Sequence, residues 1–241
     1  MKRYAWVPLV AGLASCNQVG FDLVSIKPIY SYVEGCAAVK VAGHGFADDL
    51  KVTVSMPDAA GSAVEADLEN LVLAKDDPAV EDPRLKELNA GFYVLGTMPA
   101  APVGTSGYAD ITVTSGGETG TLPEAYYYVA CPADGYVEGY GPSTGLTAGT
   151  SVSLEGCNLN GETMKVQLVD GAGVPAGEPV AIVSDCRTAA VHFDAPALAD
   201  GDYYVTITDL DGNLLAGTPC SSQDSATYYC TDFPVSYGGA K

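Results

Sequence analysis

The sequence predicts an all-β protein that consists of two β-sandwiches in series, and three observations lead to this prediction. Glycine and proline are frequent, with 28 and 15 among 241 residues, whereas long helical patterns do not occur. Several short segments alternate apolar with polar residues, which is typical of strands that bury one face. A set of these segments recurs in the same order in the second half of the chain, which indicates two related domains.

The repeat begins with a proline that leads into an alternating strand. In the first copy Pro28 precedes the segment 39–46, and in the second Pro142 precedes the segment 152–159. The distance from the proline to the first valine of the strand differs by one residue between the copies. Because Gly, Pro, Asp and Asn clusters separate the strand-like segments, a sandwich is the predicted architecture.

The later parts of the two copies also match. Segment 109–114 corresponds to segment 203–208, and each copy ends in a tyrosine-rich strand, at 126–128 and at 228–229. We expect six or seven short strands in each copy, with the seam at 132–135. The positions that alternate most clearly are Leu50, Val52, Val54, Met56, Ile111, Val113, Met164, Val166, Leu168, Tyr203, Val205 and Ile207.

The first copy contains an acidic stretch, residues 58–90, that resembles an insertion. Pro83 can begin a short helix through Leu88, because proline is favoured at the first position of a helix. The remainder of the stretch is predicted to be a solvated loop between strands. If the protein has a specific partner, this loop is a candidate contact, since binding residues are frequent on loops.

The start of the chain has the pattern of a secretory signal peptide. Lys2 and Arg3 precede the apolar segment 4–14, and small residues then lead to Cys16. A positive segment, a short apolar segment and a small-residue cleavage site predict that residues 1–15 are removed on export. The apolar segment is shorter than the roughly 20 residues that a membrane-spanning helix needs.

The sequence Leu13-Ala14-Ser15-Cys16 resembles the lipobox of bacterial lipoproteins. The resemblance implies cleavage before Cys16, lipid on its thiol and anchoring to a membrane through residues 16–21 as a tether, because two or more acyl chains give stable attachment. Asn17 follows the cysteine where some inner-membrane lipoproteins have aspartate. We therefore expect a protein of the bacterial cell envelope, lipid-anchored at the outer membrane or cell surface.

The charge of the chain excludes a nucleic-acid partner. The formal net charge is −19, from 11 basic and 30 acidic residues. Removal of Lys2 and Arg3 with the leader leaves nine basic residues and a net charge of −21. Nucleic-acid binding requires lysine and arginine to neutralise phosphates. The acidic surface favours solubility outside the cell, with binding of divalent cations or of a basic partner as the alternative.

Cysteine parity supports both export and lipidation. The seven cysteines are Cys16 and six others, namely Cys36, Cys131, Cys157, Cys186, Cys220 and Cys230. An even set of six in an exported chain predicts disulfides, and the seventh is the one that the lipid uses. Six cysteines allow fifteen pairings. Their positions in the repeat favour the pairs 36–131, 157–186 and 220–230, each within one copy.

Taken together, the repeated motifs resemble the IPT/TIG domain, an immunoglobulin-like sandwich of plexins, some transcription factors and many bacterial surface proteins. The resemblance rests on the early proline and turn and on a late strand of the type Gly-x-Tyr-x-Val. That strand is represented by residues 107–113 in one copy and 201–207 in the other. The resemblance to the IPT/TIG domain implies two immunoglobulin-like domains, 22–131 and 132–241, and a binding or spacer function.

No catalytic motif is evident in the sequence. The two histidines are predicted to be structural, with His44 in a turn and His192 on a strand that faces solvent. Carboxylate pairs carry little information in so acidic a chain, and no phosphate-binding glycine loop occurs. We therefore expect a protein without enzymatic activity.

A weak calcium candidate lies at Asp209, Asp211 and Asn213, which place oxygen ligands at alternate positions. The glutamate that completes a calcium loop is missing, and Asp-Gly between two strands is a strong hairpin signal. A turn is therefore favoured over calcium binding, and no other cofactor is expected.

The predicted function is a non-enzymatic binding or adhesion module for a protein or a glycan. One alternative is a structural stalk or assembly subunit. Another is a pair of accessory domains of a polysaccharide-processing system, which clustered exposed aromatic residues would favour. The tyrosine count of 15 allows such a cluster, although Trp6, the only tryptophan, lies in the predicted leader.

Overall fold

The computed structural model describes residues 20–132, 136–213 and 233–238. Within these ranges the fold is all-β, as the sequence predicts, with one α-helix and one 3₁₀ helix. Buried side chains form two separate clusters, one drawn from residues 26–128 and the other from residues 137–237. Each cluster lies between two sheets.

The first part of the chain forms nine strands around its own core. Their bounds are β1 (Asp22–Lys27), β2 (Tyr30–Tyr32), β3 (Ala38–His44), β4 (Lys51–Pro57), β5 (Ala63–Asp67), β6 (Glu69–Leu73), β7 (Tyr93–Thr97), β8 (Gly107–Ser115) and β9 (Glu118–Val129). One sheet has the order β1-β3-β7-β6 and the other the order β2-β9-β8-β4-β5. The pairs are antiparallel except that β2 and β9 are parallel.

The second part forms eight strands around the other core. Their bounds are β10 (Tyr136–Gly141), β11 (Ser151–Cys157), β12 (Met164–Val169), β13 (Val180–Ala181), β14 (Val183–Cys186), β15 (Ala190–Asp194), β16 (Gly201–Asp209) and β17 (Pro234–Tyr237). The sheets have the orders β10-β11-β15-β14 and β13-β12-β16-β17. These orders follow those of the first part, with β10, β11, β15 and β14 at the places of β1, β3, β7 and β6.

The alternating segments occupy the central strands, where their apolar residues face the cores. On β4 the side chains of Val52, Val54 and Met56 are buried, and on β8 those of Ile111 and Val113 are buried. The intervening residues on these strands are exposed or half-buried. Period-two alternation therefore sets which face of each sheet is inside.

The stretch 58–90 differs from the expected loop because it contributes two strands, β5 and β6, to the edges of the two sheets. The predicted helix is present as α1 (Pro83–Asn89), with Pro83 at its start. The Asp82 side chain caps this helix by accepting a hydrogen bond from the Arg84 N–H. The 3₁₀ helix, Ala74–Asp76, links β6 to this region.

The number of strands exceeds the expected six or seven per copy, since the short strands β2, β5, β6, β13 and β14 were not predicted. Most of their side chains are exposed or half-buried, so that hydrophobic periodicity does not mark them. Of the two tyrosine-rich segments, 126–128 lies in β9, whereas 228–229 lies outside the described residues. The described final strand of the second part is β17.

The disulfides cross between the two parts of the chain, and the expected pairings 36–131 and 157–186 are wrong. The structure joins Cys36 to Cys186 and Cys131 to Cys157, with Cα–Cα distances of 5.9 and 5.8 Å. Such distances suit a disulfide. The proposed pair 220–230 lies outside the described residues.

The reason for the different pairing is the way in which the two parts meet. Cys36 lies in the turn after β2, at the end of the first sandwich that faces the second. Cys157 ends β11 directly opposite Tyr136, at the start of the second part. An ion pair between Arg187 and Glu69 adds a further contact between the parts beside the Cys36–Cys186 bridge.

Helical structure is short wherever the chain is described. No helix in those ranges has the length and apolar character that a membrane crossing requires.

Candidate functional site

The three consecutive tyrosines of β9 point in alternate directions. Tyr126 and Tyr128 are fully buried, and their ring centroids lie 5.3 Å apart in the core. Tyr127 lies between them in the sequence and is 37% exposed on the outer face of the sheet. Strand alternation therefore gives the core two aromatic rings and leaves the third ring to solvent.

Each strand beside β9 places one more tyrosine next to Tyr127. Tyr30 on β2 is its partner in the parallel pair, and Tyr108 on β8 is its partner in the antiparallel pair. Tyr30 is 50% exposed and Tyr108 is 58% exposed. The rings of Tyr108 and Tyr127 have centroids 4.8 Å apart. We call Tyr30, Tyr127 and Tyr108 the tyrosine row; it crosses three adjacent strands.

Backbone hydrogen bonds fix the positions of the tyrosine row. The Tyr127 N–H donates to the Ile29 carbonyl at 2.9 Å, which holds β2 in register with β9. On the other side of β9, the pairing with β8 shifts between Ala109 and Ile111, and Glu124 has a φ of 50°. The Glu124 N–H donates to the Asp110 carboxylate at 2.7 Å. A bulge of this kind re-aims the side chains beside it.

A groove opens at each end of the tyrosine row. The groove beside Tyr108 has a volume of about 460 Å³, and the groove beside Tyr30 has a volume of about 450 Å³. The first lies within the first sandwich, and the second lies between the two parts of the chain. Lining residues of the first include Met56, Pro57, Tyr108, Asp110 and Glu124; those of the second include Tyr30, Tyr32, Gly35, Gly156, Glu138 and Glu155.

Tyr32 also lines the groove between the parts, and the Tyr136 ring lies beside it. The ring centroids of Tyr32 and Tyr136 lie 6.0 Å apart. Burial, followed by the nearby Glu138 carboxylate, raises the pKa of the Tyr32 hydroxyl to about 12. Tyr32 therefore remains an uncharged hydrogen-bond donor at neutral pH.

The surface around the tyrosine row combines flat apolar rings with carboxylates. Asp110 and Glu124 lie at one end, and Glu138 and Glu155 lie at the other. Tyrosine rings offer an apolar face together with a polar hydroxyl, and carboxylates accept hydrogen bonds from hydroxyl groups. This arrangement suits an elongated, uncharged ligand that carries many hydroxyl groups.

The described part of the chain contains one close group of metal-ligand types, namely Glu34, Cys131 and Cys157, whose potential ligand atoms lie within 4.8 Å of one another. Both sulfur atoms belong to the Cys131–Cys157 disulfide. They are therefore not thiolate ligands in this state.

The residues suggested for calcium form a hydrogen-bonded turn. One oxygen of Asp209 accepts hydrogen bonds from the N–H groups of Asp211 and Asn213, at 2.9 and 2.8 Å. The other oxygen accepts one from the Asn213 side-chain amide at 2.9 Å. These donors hold the pKa of Asp209 below its ordinary value, with the Asn213 side chain as the largest cause. The arrangement favours the turn, and calcium binding stays a prediction.

The other singled-out residues lie apart from the tyrosine row. His44 ends β3 rather than forming a turn, and its ring meets the edge of Phe92 with centroids 5.1 Å apart. His192 lies on β15 as predicted, with a 25% exposed side chain 2.7 Å from the Asp185 carboxylate. Cys16, Cys220 and Cys230 lie outside the described residues.

The tyrosine row was not identified from the sequence. Alternation within 126–128 already implies that Tyr127 faces away from its two neighbours. What the sequence does not reveal is that Tyr30 and Tyr108, far apart in the chain, pair with that position. This information lies in the register between strands.

Comparisons with known proteins give structural neighbours only. A scan against protein-family models found no match, and a search of curated proteins found no similar sequence. Among solved structures, the extracellular region of plexin A4 is 12% identical, with a TM-score of 0.33, over 89% of this chain and 16% of that chain.

Two bacterial structures are also similar to the chain. SGBP-B from the mixed-linkage glucan utilization locus of Bacteroides ovatus, in complex with a mixed-linkage heptasaccharide, is 15% identical with a TM-score of 0.36, over 84% of this chain and 40% of that chain. The adhesin InvE of Yersinia pseudotuberculosis is 14% identical with a TM-score of 0.29, over 91% of this chain and 65% of that chain. The chain spans less than half the length of the plexin and Bacteroides proteins.

Proposed function

We propose that the chain is a lipid-anchored, non-enzymatic binding protein of the bacterial cell envelope, and that its tyrosine row holds a neutral glycan chain. The observation that supports this proposal is the row itself, in which three exposed rings on adjacent strands connect two grooves. A chain of sugar rings can lie across the tyrosine rings. Its hydroxyl groups can donate hydrogen bonds to the carboxylates in the two grooves.

Charge favours a neutral glycan over an acidic polymer. The chain has 30 acidic residues against 11 basic ones. Four of the carboxylates line the two grooves, namely those of Asp110, Glu124, Glu138 and Glu155. A uronate-rich or sulfated polysaccharide would meet like charge on this surface, and unpaired like charges across an interface oppose binding.

The anchor and the domains complete the proposal. The lipobox-like residues 13–16 support a lipid on Cys16 and an outer-membrane or surface location. We propose domains 22–131 and 132–241, each an immunoglobulin-like sandwich. The tyrosine row lies on the first domain, at the end that adjoins the second.

Affinity electrophoresis tests the proposal. The purified chain is run through gels that contain a neutral β-glucan, galactomannan, α-mannan or starch, and through gels that contain alginate or pectate. We expect retardation by at least one neutral polysaccharide and by neither acidic one. The triple variant Tyr30→Ala, Tyr108→Ala and Tyr127→Ala should lose the retardation, because the stacking surface is removed.

Val183→Ala is the matched control, since Val183 is 50% exposed on β14, far in sequence from the tyrosine row. This variant should migrate like the wild type in every gel. Retention by a polysaccharide that persists in the triple variant would contradict the assignment of the site. Absence of retention by every polysaccharide would contradict the glycan proposal.

A role beside a polysaccharide-processing enzyme is the second candidate, and the clustering of exposed tyrosines favours it. The same retardation is expected in that case. Co-purification of the chain with a polysaccharide-degrading enzyme from its own membranes, in amounts that the triple variant does not change, would favour the accessory role. A purely structural stalk would show neither glycan retention nor a specific enzyme.

A further inference from the structure

The second surface of interest is an apolar ridge on the stretch 58–90. Leu85 and Leu88 are 50% and 69% exposed, and no residue of α1 is buried. Residues three apart lie on the same side of a helix. Phe92 is 39% exposed, and its N–H donates to the carbonyl of Asn89, the last residue of α1. We call Leu85, Leu88 and Phe92 the helix ridge.

The segment that leads into α1 is held against the first sandwich by side-chain contacts. The Asp77 carboxylate accepts hydrogen bonds from the Ala79 N–H and the Tyr93 hydroxyl, both at 2.8 Å, which ties the segment before α1 to β7. Lys75 forms an ion pair with Asp48. These contacts attach the segment before α1, and with it the start of the helix, to the first sandwich.

The helix ridge lies at the end of the molecule from which the chain leads to Cys16. Asp22, the first residue of β1, pairs with His44 on β3. The His44 ring meets Phe92 with centroids 5.1 Å apart, and the Gly43 N–H donates to the Phe92 carbonyl at 3.0 Å. The ridge therefore adjoins the strand pair that receives the tether.

The tether is short compared with the size of the sandwich. Six residue steps separate Cys16 from Asp22, and an extended chain covers at most about 3.5 Å per step, so the reach is about 21 Å. A lipid on Cys16 would therefore keep the start of β1, and the ridge beside it, close to the membrane surface. Such a tether raises the local concentration of the ridge at that surface.

We propose that the helix ridge inserts into the surface of the membrane that carries the lipid anchor and thereby orients the first sandwich, with the tyrosine row directed away from that membrane. This inference rests on the lipid anchor of the proposed function. The expected attraction is apolar, because the chain is strongly acidic and anionic headgroups would repel it. Contact should therefore occur on zwitterionic lipid and should persist at high salt, which weakens charge attraction alone.

The test uses a tryptophan placed on the helix ridge of the full chain, in its lipidated form. Trp6 is the only natural tryptophan and lies in the predicted leader. Tryptophan fluorescence of the mature variant would therefore come from the introduced residue. The Leu88→Trp variant and the control Val183→Trp variant are reconstituted into phosphatidylcholine vesicles with brominated acyl chains. We expect several-fold stronger quenching and a blue shift for Leu88→Trp, unchanged by high salt, and little quenching for Val183→Trp.

Mass spectrometry of the same preparations records the acyl groups and separates the two ways in which the experiment can fail. Acylated protein without quenching of the Leu88→Trp variant would overturn the ridge and leave the anchor. Unacylated protein would overturn both the anchor and the orientation. Equal quenching of both variants would also contradict the inference, since the whole surface would then lie on lipid. A blue shift of the Leu88→Trp fluorescence that is caused by a copurifying protein, without quenching by brominated lipid, would also overturn the membrane inference.

Discussion

At the scale of single residues, three turns share the sequence Asp-x-x-Gly. In each turn one aspartate oxygen accepts hydrogen bonds from the N–H groups two and four residues later, and the glycine has a positive φ. The aspartates are Asp58, Asp170 and Asp209, and the glycines are Gly61, Gly173 and Gly212, with φ of 79°, 77° and 86°. The loop suggested for calcium is one of these three turns, which explains its spacing of oxygen ligands.

The turn at Asp170 allows a matched test, because it contains two glycines with different backbone conformations. Gly173 has a φ of 77°, where an L side chain is strained. Gly171 has no positive φ, and a Cβ there would meet no atom within 4 Å. Gly173→Ala should lower the free energy of unfolding by about 1–2 kcal/mol, as measured by urea denaturation.

Gly171→Ala is the control, and its free energy of unfolding should stay close to that of the wild type. Equal stability of the two variants would contradict the left-handed conformation at Gly173. This turn chemistry is available from the sequence alone, since Asp and Gly at fixed spacing predict the conformation directly.

At the scale of elements, the sequence predicted the strands whose one face is fully buried. Strands β4, β8, β12 and β16 belong to this class, and their alternating aliphatic side chains lie in the cores. The five short strands that the sequence missed all lie at sheet edges, where most side chains are exposed or half-buried. The same limit explains why residues 63–73 resembled a loop.

The tyrosine row also depends on the arrangement of strands, but on the register between them rather than on alternation within one strand. Its members come from β2, β8 and β9, and only the register of the pairs brings them together. A slip of one residue in β9 would place Tyr126 and Tyr128 outside and Tyr127 inside. Local sequence therefore shows which tyrosines share a face, whereas the long-range pairing decides which ones are neighbours.

The buried tyrosines of the final strands predict a loss of stability at alkaline pH. Burial raises the pKa of Tyr126 on β9 and of Tyr237 on β17 to about 12. Because the folded pKa exceeds the unfolded value of about 10, the contribution is complete below about pH 10 and is lost as the pH rises through about 12. Urea denaturation across this range should show a falling free energy of unfolding.

Tyr126→Phe keeps the ring and removes the titrating hydroxyl, so the variant should lose less stability than the wild type over the same pH range. A pH dependence identical to that of the wild type would show that Tyr126 does not contribute. Absorbance of tyrosinate, followed in parallel, reports how many tyrosines titrate before the protein unfolds.

At the scale of the whole molecule, the all-β class followed from the sequence, but the contact between the two parts of the chain did not. The expected disulfides stayed within each copy because sequence position was the only guide. In the structure, the turn that holds Cys36 faces the end of β14, and the chain after β9 returns beside β11. Both bridges therefore link one sandwich to the other.

The crossing disulfides predict the result of non-reducing peptide mapping, in which Cys36 should be joined to Cys186 and Cys131 to Cys157. Loss of a bridge should destabilise the chain more when its loop is longer. The separations of 150 and 26 residues correspond to about 5 and 3.5 kcal/mol in the chain-entropy model. Denaturation of Cys36→Ser/Cys186→Ser and of Cys131→Ser/Cys157→Ser would compare the two. A peptide that joins Cys36 to Cys131 would contradict this arrangement.

The central claim is that the tyrosine row binds a neutral glycan through its rings, and the middle residue tests it most directly. Calorimetric titration would use an oligosaccharide from the polysaccharide that retards the chain, with the wild type, Tyr127→Phe and Tyr127→Ala. We expect Tyr127→Phe to bind nearly as well as the wild type, since the ring remains, and Tyr127→Ala to bind about tenfold more weakly or worse. Wild-type affinity in Tyr127→Ala would contradict the claim.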